Sequence, residues 1–168
     1  VKVIGIDLGV HKISLACFED QKLVWCDTHV ASGEQTRDQQ LLELGKFANE
    51  IATLHSADSI WVEDALIGNN QKYSLSIAEV KGAVLTMLGN LRLYLGTDVR
   101  MVNVSTWKKE VVGHGNASKE WVKNYIDVTY PEYAPLCDGD QDRYDATCVG
   151  IYGLRITARS QDLHLTPE

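Results

Sequence analysis

No run of this chain stays apolar for the ~18 residues a membrane-spanning helix needs, which excludes such a span. The opening VKVIG lacks the basic, apolar and small-residue zones of a signal peptide, so a cytoplasmic location is expected. Cysteine is sparse: Cys17, Cys26, Cys137 and Cys148 form no CxxC pair and stand at no zinc-ligand spacing from a histidine. They read as reduced, mostly buried thiols. The five histidines form no HxH or HExxH pattern, which removes a histidine metal cluster. Positive charge is also in short supply, 16 Lys and Arg against 23 Asp and Glu, for a net charge of −7. Taken alone, that balance argues against a phosphate-rich partner, but where the charges lie matters more than their sum.

What is present suits one globular domain. The chain has 168 residues, 45% hydrophobic and 23% charged, enough for a single core. We expect that domain over 1–158 and a flexible tail over 159–168. Val1–Gly9, Ile13–Phe18 and Leu23–Asp27 read as three strands in an antiparallel meander. Apolar residues at three- and four-residue steps predict a helix over Ser32–Leu54, and another over Tyr73–Leu91. Between them SIWVED, Ser59–Asp64, reads as a strand, and Asp98–Val104 as a fifth. A short helix over Ser105–Val111, a glycine-rich loop, a helix over Lys119–Thr129 and a last helix over Asp142–Ala158 complete the order. Three antiparallel strands followed by strands alternating with helices predict an α/β fold: one five-stranded mixed sheet with helices on both faces.

Four carboxylates fall at element ends. Asp7 ends the first strand and Glu63 lies at the end of the fourth. Asp142 and Asp145 sit three residues apart at the start of the last helix and so share a face. If strands one and four are neighbours with that helix across their ends, all four converge. Asp64, next to Glu63, points to the opposite face. Asp138 and Asp140 precede the last helix, and one of them is expected to cap it. Four clustered acids repel one another, and partial burial adds to the cost of ionising them. A divalent cation relieves that cost, and an all-oxygen ligand set suits Mg²⁺ or Mn²⁺ rather than zinc. A pair of such ions can clamp the attacking water and the leaving oxygen of a phosphodiester. Around WKKEVVGHGNASK the chain also gathers Trp107, Lys108, Lys109, His114, Lys119 and Lys123, a local cationic stretch whose loop amides can meet phosphate.

GIDLG around Asp7, WVED around Glu63, WKKEVVGHGNASKEWV, and DRYDATCVGIYG around Asp142 and Asp145 together resemble the RuvC-type Holliday-junction resolvases. The resemblance spans nearly the whole chain and implies an RNase H-like fold. It implies Asp7, Glu63, Asp142 and Asp145 as catalytic, metal-holding residues for two Mg²⁺ ions per site, with Mn²⁺ as a substitute. It implies DNA contacts at Lys108 or Lys109 and at Lys119. It also implies a homodimer formed partly through the 73–91 helix, acting on four-way DNA junctions by paired symmetric incisions that leave 5′-phosphate and 3′-hydroxyl ends. Where the family often carries an aromatic residue after the catalytic Glu, this chain has Leu66, which can still wedge at the junction, while Tyr73 can stack instead. A divergent resolvase or branch nuclease, phage-encoded and working in the host cytoplasm, would fit these departures.

Other readings compete. The opening hairpin also occurs in actin-like ATPases, but those need two such domains and a second phosphate hairpin. A nuclease on forks, flaps or D-loops, or on RNA–DNA hybrids, would use the same four acids. A non-catalytic DNA-binding protein would not need all of them.

Overall fold

A computed structural model describes residues 1–64 and 70–163, without the side chains of 161–163. Among the described residues, five strands and six helices follow one another as β1 (Lys2–Leu8), β2 (Lys12–Glu19), β3 (Lys22–Val30), α1 (Arg37–Leu54), β4 (Ser59–Asp64), α2 (Gln71–Leu95), β5 (Asp98–Asn103), α3 (Val104–Val112), α4 (Lys119–Thr129), α5 (Ala134–Cys137) and α6 (Gln141–Leu163). The sheet order is β3-β2-β1-β4-β5. The first three strands pair antiparallel, and β1–β4 and β4–β5 pair parallel. This is the expected mixed sheet, with strands one and four side by side. Among the described residues no helix is long and apolar enough to cross a membrane. All four cysteines are buried and free.

Both faces of the sheet are covered, which explains the continuous apolar runs of β1 and β4. On one face Ile4, Ile6, Leu8, Ile60 and Val62 pack with Leu44, Ala48, Val80, Val84 and Leu88 of α1 and α2. On the other, Val3, Ala16, Phe18 and Trp61 pack with Ala146, Val149 and Ile151 of α6. Side chains alternate along a strand, so Asp7 follows Val3 and Gly5 onto the α6 face, and Glu63 follows Trp61. Asp64 falls on the other face, where Lys81 of α2 pairs with it at 2.7 Å.

Glycine sets how closely α6 approaches the sheet. A Cβ on Gly5 would lie 2.2 Å from the Ala146 carbonyl oxygen and 2.3 Å from the Gly150 nitrogen. One on Gly150 would lie 2.3 Å from the Phe18 ring, and one on Gly153 equally near Trp61. This seam lets the first turn of α6 reach the ends of β1 and β4.

Several boundaries differ from the sequence reading. Helix α1 begins at Arg37 rather than Ser32, because Thr36 and Gln39 form a reciprocal capping box that starts it there. Helix α2 extends beyond 73–91, from an Asn70 cap that accepts the Tyr73 amide to a left-handed Gly96. The one-turn α5 carries Pro135 in its first turn, where a missing amide costs nothing. Helix α6 runs to Leu163 rather than ending at Ala158; residues 164–168 of the expected tail lie outside the described residues.

Candidate active site

Asp7, Asp142 and Asp145 present carboxylate oxygens that all lie within 4.8 Å of one another. Asp7 comes from the buried end of β1, where it is only 9% exposed. Glu63 reaches the same cavity from β4, whose register places it just beyond the Ile6–Val62 pair. The cavity, about 540 Å³, is lined by these four acids together with His11, Lys12, Tyr73, Trp107, Lys108 and Lys119, among others. The four acids that the sequence pattern singled out are thus brought together.

The first turn of α6 is held by a chain of contacts from the sheet. Asp140 accepts the Asp142 amide at 2.9 Å and caps the helix. Its other oxygen accepts Thr28 Oγ1 at 3.0 Å, and Thr28 pairs with Ser14 at 2.7 Å. Ser14 is the β2 neighbour of Asp7. Arg143 donates to Asp27 of β3 at 2.6 Å, and Gln141 donates to Asp145 at 3.3 Å. Strand side chains thereby anchor the turn that carries Asp142, while Asp145 is held from within the helix by Gln141.

Electrostatically the cluster is under load. Burial is the main cause that raises the Asp7 carboxyl well above its usual range, and the charges of Glu63, Asp145 and Asp142 add to it. Glu63 is pushed up to about 7, again chiefly by burial and further by Asp145, against a lowering hydrogen bond from Trp107. Asp145 rises to about 6 through burial, opposed by Gln141 and by the ammonium groups of Lys108 and Lys119. Buried oxygen donors that resist ionisation fit a divalent cation, which supplies the charge that makes ionisation favourable.

The cationic residues divide. Lys119 begins α4 and holds Nζ 3.9 Å from Asp142. Lys108 lines the cavity and donates to the Ala117 carbonyl at 2.8 Å, which ties α3 to the glycine-rich loop. Lys109 is exposed and does not line the cavity. Lys123 is paired with Asp127 beside the Tyr144 ring. Half-exposed Tyr73 lines the cavity, whereas Leu66 lies outside the described residues.

Two residues of the site went unassigned in the sequence reading. Trp107, noted only as an aromatic beside lysines, is fully buried and donates its indole N–H to Glu63 at 2.8 Å. Its position on the inner face of a short amphipathic helix was the available signal. Lys12 forms an ion pair with Asp142. It opens β2 just after the turn, a place that sequence periodicity does not mark.

The family model described as crossover junction endodeoxyribonuclease RuvC matches residues 3–130. A protein of that name from Ehrlichia chaffeensis is 27% identical over 156 residues, covering 90% of this chain and 94% of its own. Another from Azorhizobium caulinodans is 24% identical, with 90% and 88% covered. Among solved structures, Thermus thermophilus RuvC matches with a TM-score of 0.73 at 18% identity, covering 94% of this chain and 97% of that one. The same protein in complex with Holliday junction substrate gives 0.72 at 17% identity, with 93% and 96% covered.

Proposed function

The chain belongs to the RuvC family of crossover junction endodeoxyribonucleases, and from that premise we propose how its own residues carry out the reaction. It is a metal-dependent endodeoxyribonuclease that resolves four-way DNA junctions. The observation that carries the reading is the convergence of Asp7, Asp142 and Asp145 within 4.8 Å, with Glu63 in the same cavity and lysines beside them. Asp7, Glu63, Asp142 and Asp145 would hold two divalent ions, Mg²⁺ in the cell and Mn²⁺ as a substitute. Bound there, the ions would supply an activated water and stabilise the leaving oxygen of the phosphodiester.

The chain's residues do the rest. Asp7, buried at the end of β1, would anchor the ligand set, with Asp142 and Asp145 within 4.8 Å of it. Trp107 orients Glu63, and the Ser14–Thr28–Asp140 contacts orient Asp142. Lys108 and Lys119, on the cavity wall, meet the DNA backbone and counter charge that develops on the phosphate. Tyr73 at the cavity, and Leu66 after the catalytic Glu, meet bases at the junction. The incision leaves 5′-phosphate and 3′-hydroxyl ends.

Paired symmetric cuts require two sites related by a two-fold axis. Helix α2 supports such a pairing. Leu75 and Leu93 are exposed on it in line with Gly82 and Gly89, and a Cβ added at either glycine would meet nothing within 4 Å. That leaves an apolar, closely approachable helix face for a second copy. The substrate places the enzyme wherever DNA is kept, the cytoplasm in a bacterium.

The test is cleavage of end-labelled substrates: a four-way junction, a fork and linear duplex, each with Mg²⁺, Mn²⁺ or EDTA, beside Asp7→Asn. Symmetric paired cuts on the junction, lost in EDTA and in the variant, are expected. Cuts on every branched substrate would replace junction resolution with a broader branch nuclease. No metal-dependent cleavage of DNA would overturn the proposal and direct the assay to RNA–DNA hybrids.

A further inference from the structure

Three lysines border the carboxylate cluster, and they are not equivalent. Lys108 Nζ is engaged by the Ala117 carbonyl. Lys119 is 69% exposed and stands 3.9 Å from Asp142. Lys12 approaches the cluster most closely of the three, through its ion pair with the other oxygen of Asp142. Its backbone is fixed by the β1–β2 turn, in which Gly9 N–H donates to the Lys12 carbonyl at 2.9 Å. Its stem lies against Gly9, where a Cβ would come 2.8 Å from Lys12 Cγ. A turn glycine therefore leaves room for this lysine, its side chain 46% exposed, to run along the wall of the cavity.

Asp142 has two claims on it. It belongs to the three-carboxylate group able to hold a metal ion, and it is the partner of the Lys12 ammonium. A divalent ion bound by an ionised carboxylate and an ammonium crowded on the same group repel each other strongly at such short range. We infer that Lys12 is a built-in counter-cation which competes with the divalent ion for Asp142. It neutralises the cluster while the site is empty of metal and must give up Asp142 as metal loads. This rests on the metal-site reading above and adds a residue that sets the concentration of metal at which the site fills.

The test uses the 168-residue chain, stripped of metal with EDTA and dialysed, and titrated with Mn²⁺ by calorimetry. Lys12→Met keeps the stem and removes the charge; it is expected to bind Mn²⁺ about 2- to 5-fold more tightly, the worth of one partly exposed ion pair. Lys12→Arg, which keeps the charge, is expected to bind as the unaltered protein does. Junction cleavage by Lys12→Met is expected to reach half its own maximum at a correspondingly lower Mg²⁺ concentration. If Lys12→Met does not fold, Lys12→Gln takes its place with the same outcomes. Unchanged or weaker Mn²⁺ affinity in the uncharged variant, with the unaltered protein still binding Mn²⁺ and cutting junctions, overturns the role of Lys12 alone. Failure of the unaltered protein to bind Mn²⁺ overturns this inference and the metal-site reading together.

Discussion

Glu63→Gln is expected to abolish cleavage and yet stabilise the metal-free protein. In the folded chain the Glu63 carboxyl is pushed up to about 7 from 4.5, with burial the first cause. A shift of that size corresponds to roughly 3 kcal/mol between the two protonation states. For a carboxyl raised by folding, the favourable protonated form is complete below pH 4.5, and stability is lost as pH rises through about 7. At pH 8 in EDTA the unaltered protein therefore carries the full cost of an ionised Glu63, while a neutral glutamine does not. The amide oxygen still accepts the Trp107 indole N–H, so packing is conserved. In a chain of this length each kcal/mol is worth about 2–4 °C, so the variant is expected to melt roughly 6–12 °C higher. At pH 5 the two proteins are expected to differ by less than about 1 kcal/mol. With saturating Mg²⁺ the order reverses, because bound metal stabilises the unaltered protein more than the variant. Calorimetric melting at pH 5 and 8, with EDTA and with Mg²⁺, checks all of this. A variant no more stable than the unaltered protein at pH 8 in EDTA would refute the claim that the cluster is electrostatically strained.

Other perturbations follow from the same geometry. Trp107→Phe removes the hydrogen bond to Glu63, worth about 1.5–3 kcal/mol to a charged acceptor; Mg²⁺ titration of cleavage is expected to shift to higher concentration while the circular dichroism spectrum is retained. Lys108→Ala and Lys119→Ala are each expected to weaken junction binding broadly and to flatten its salt dependence by about one unit of slope. Lys109→Ala, outside the cavity, is expected to change that slope less, and binding isotherms at several salt concentrations separate the three. Gly150→Ala drives a methyl group into the Phe18 ring and is expected to destabilise by about 1–3 kcal/mol, seen as a lower denaturant midpoint.

The sheet and the four acids were legible because they depend on the backbone. Strand alternation put Asp7 and Glu63 on one face and Asp64 on the other, and helical spacing put Asp142 and Asp145 together. These periodicities are carried by apolar neighbours, so a one-dimensional pattern suffices to read them. Helix ends were read less well where a cap hides inside a polar stretch: Thr36 with Gln39 starts α1 later than its apolar period suggests, whereas the Asp140 cap of α6 was among the two expected. Trp107 and Lys12 were missed for a different reason. Each acts through the tip of a long side chain on a partner far away in sequence, and nothing local to residue 107 announces residue 63. The glycine seam was not visible, because the contacts of Gly5 with Ala146 and Gly150 exist only once α6 has docked.

The acidic balance of the chain then has a physical place. At −7 the protein should repel DNA, yet part of that charge belongs to the carboxylate cluster itself. Two divalent ions would bring the formal total to about −3, and they would place the added positive charge where the scissile phosphate must sit. Attraction for DNA would then depend on metal at the cavity, flanked by Lys108 and Lys119, rather than on a generally basic surface. Junction binding should accordingly weaken in EDTA well beyond the loss of catalysis, and an affinity for uncleaved junction that is the same with and without divalent cation would show that some other surface carries the attraction.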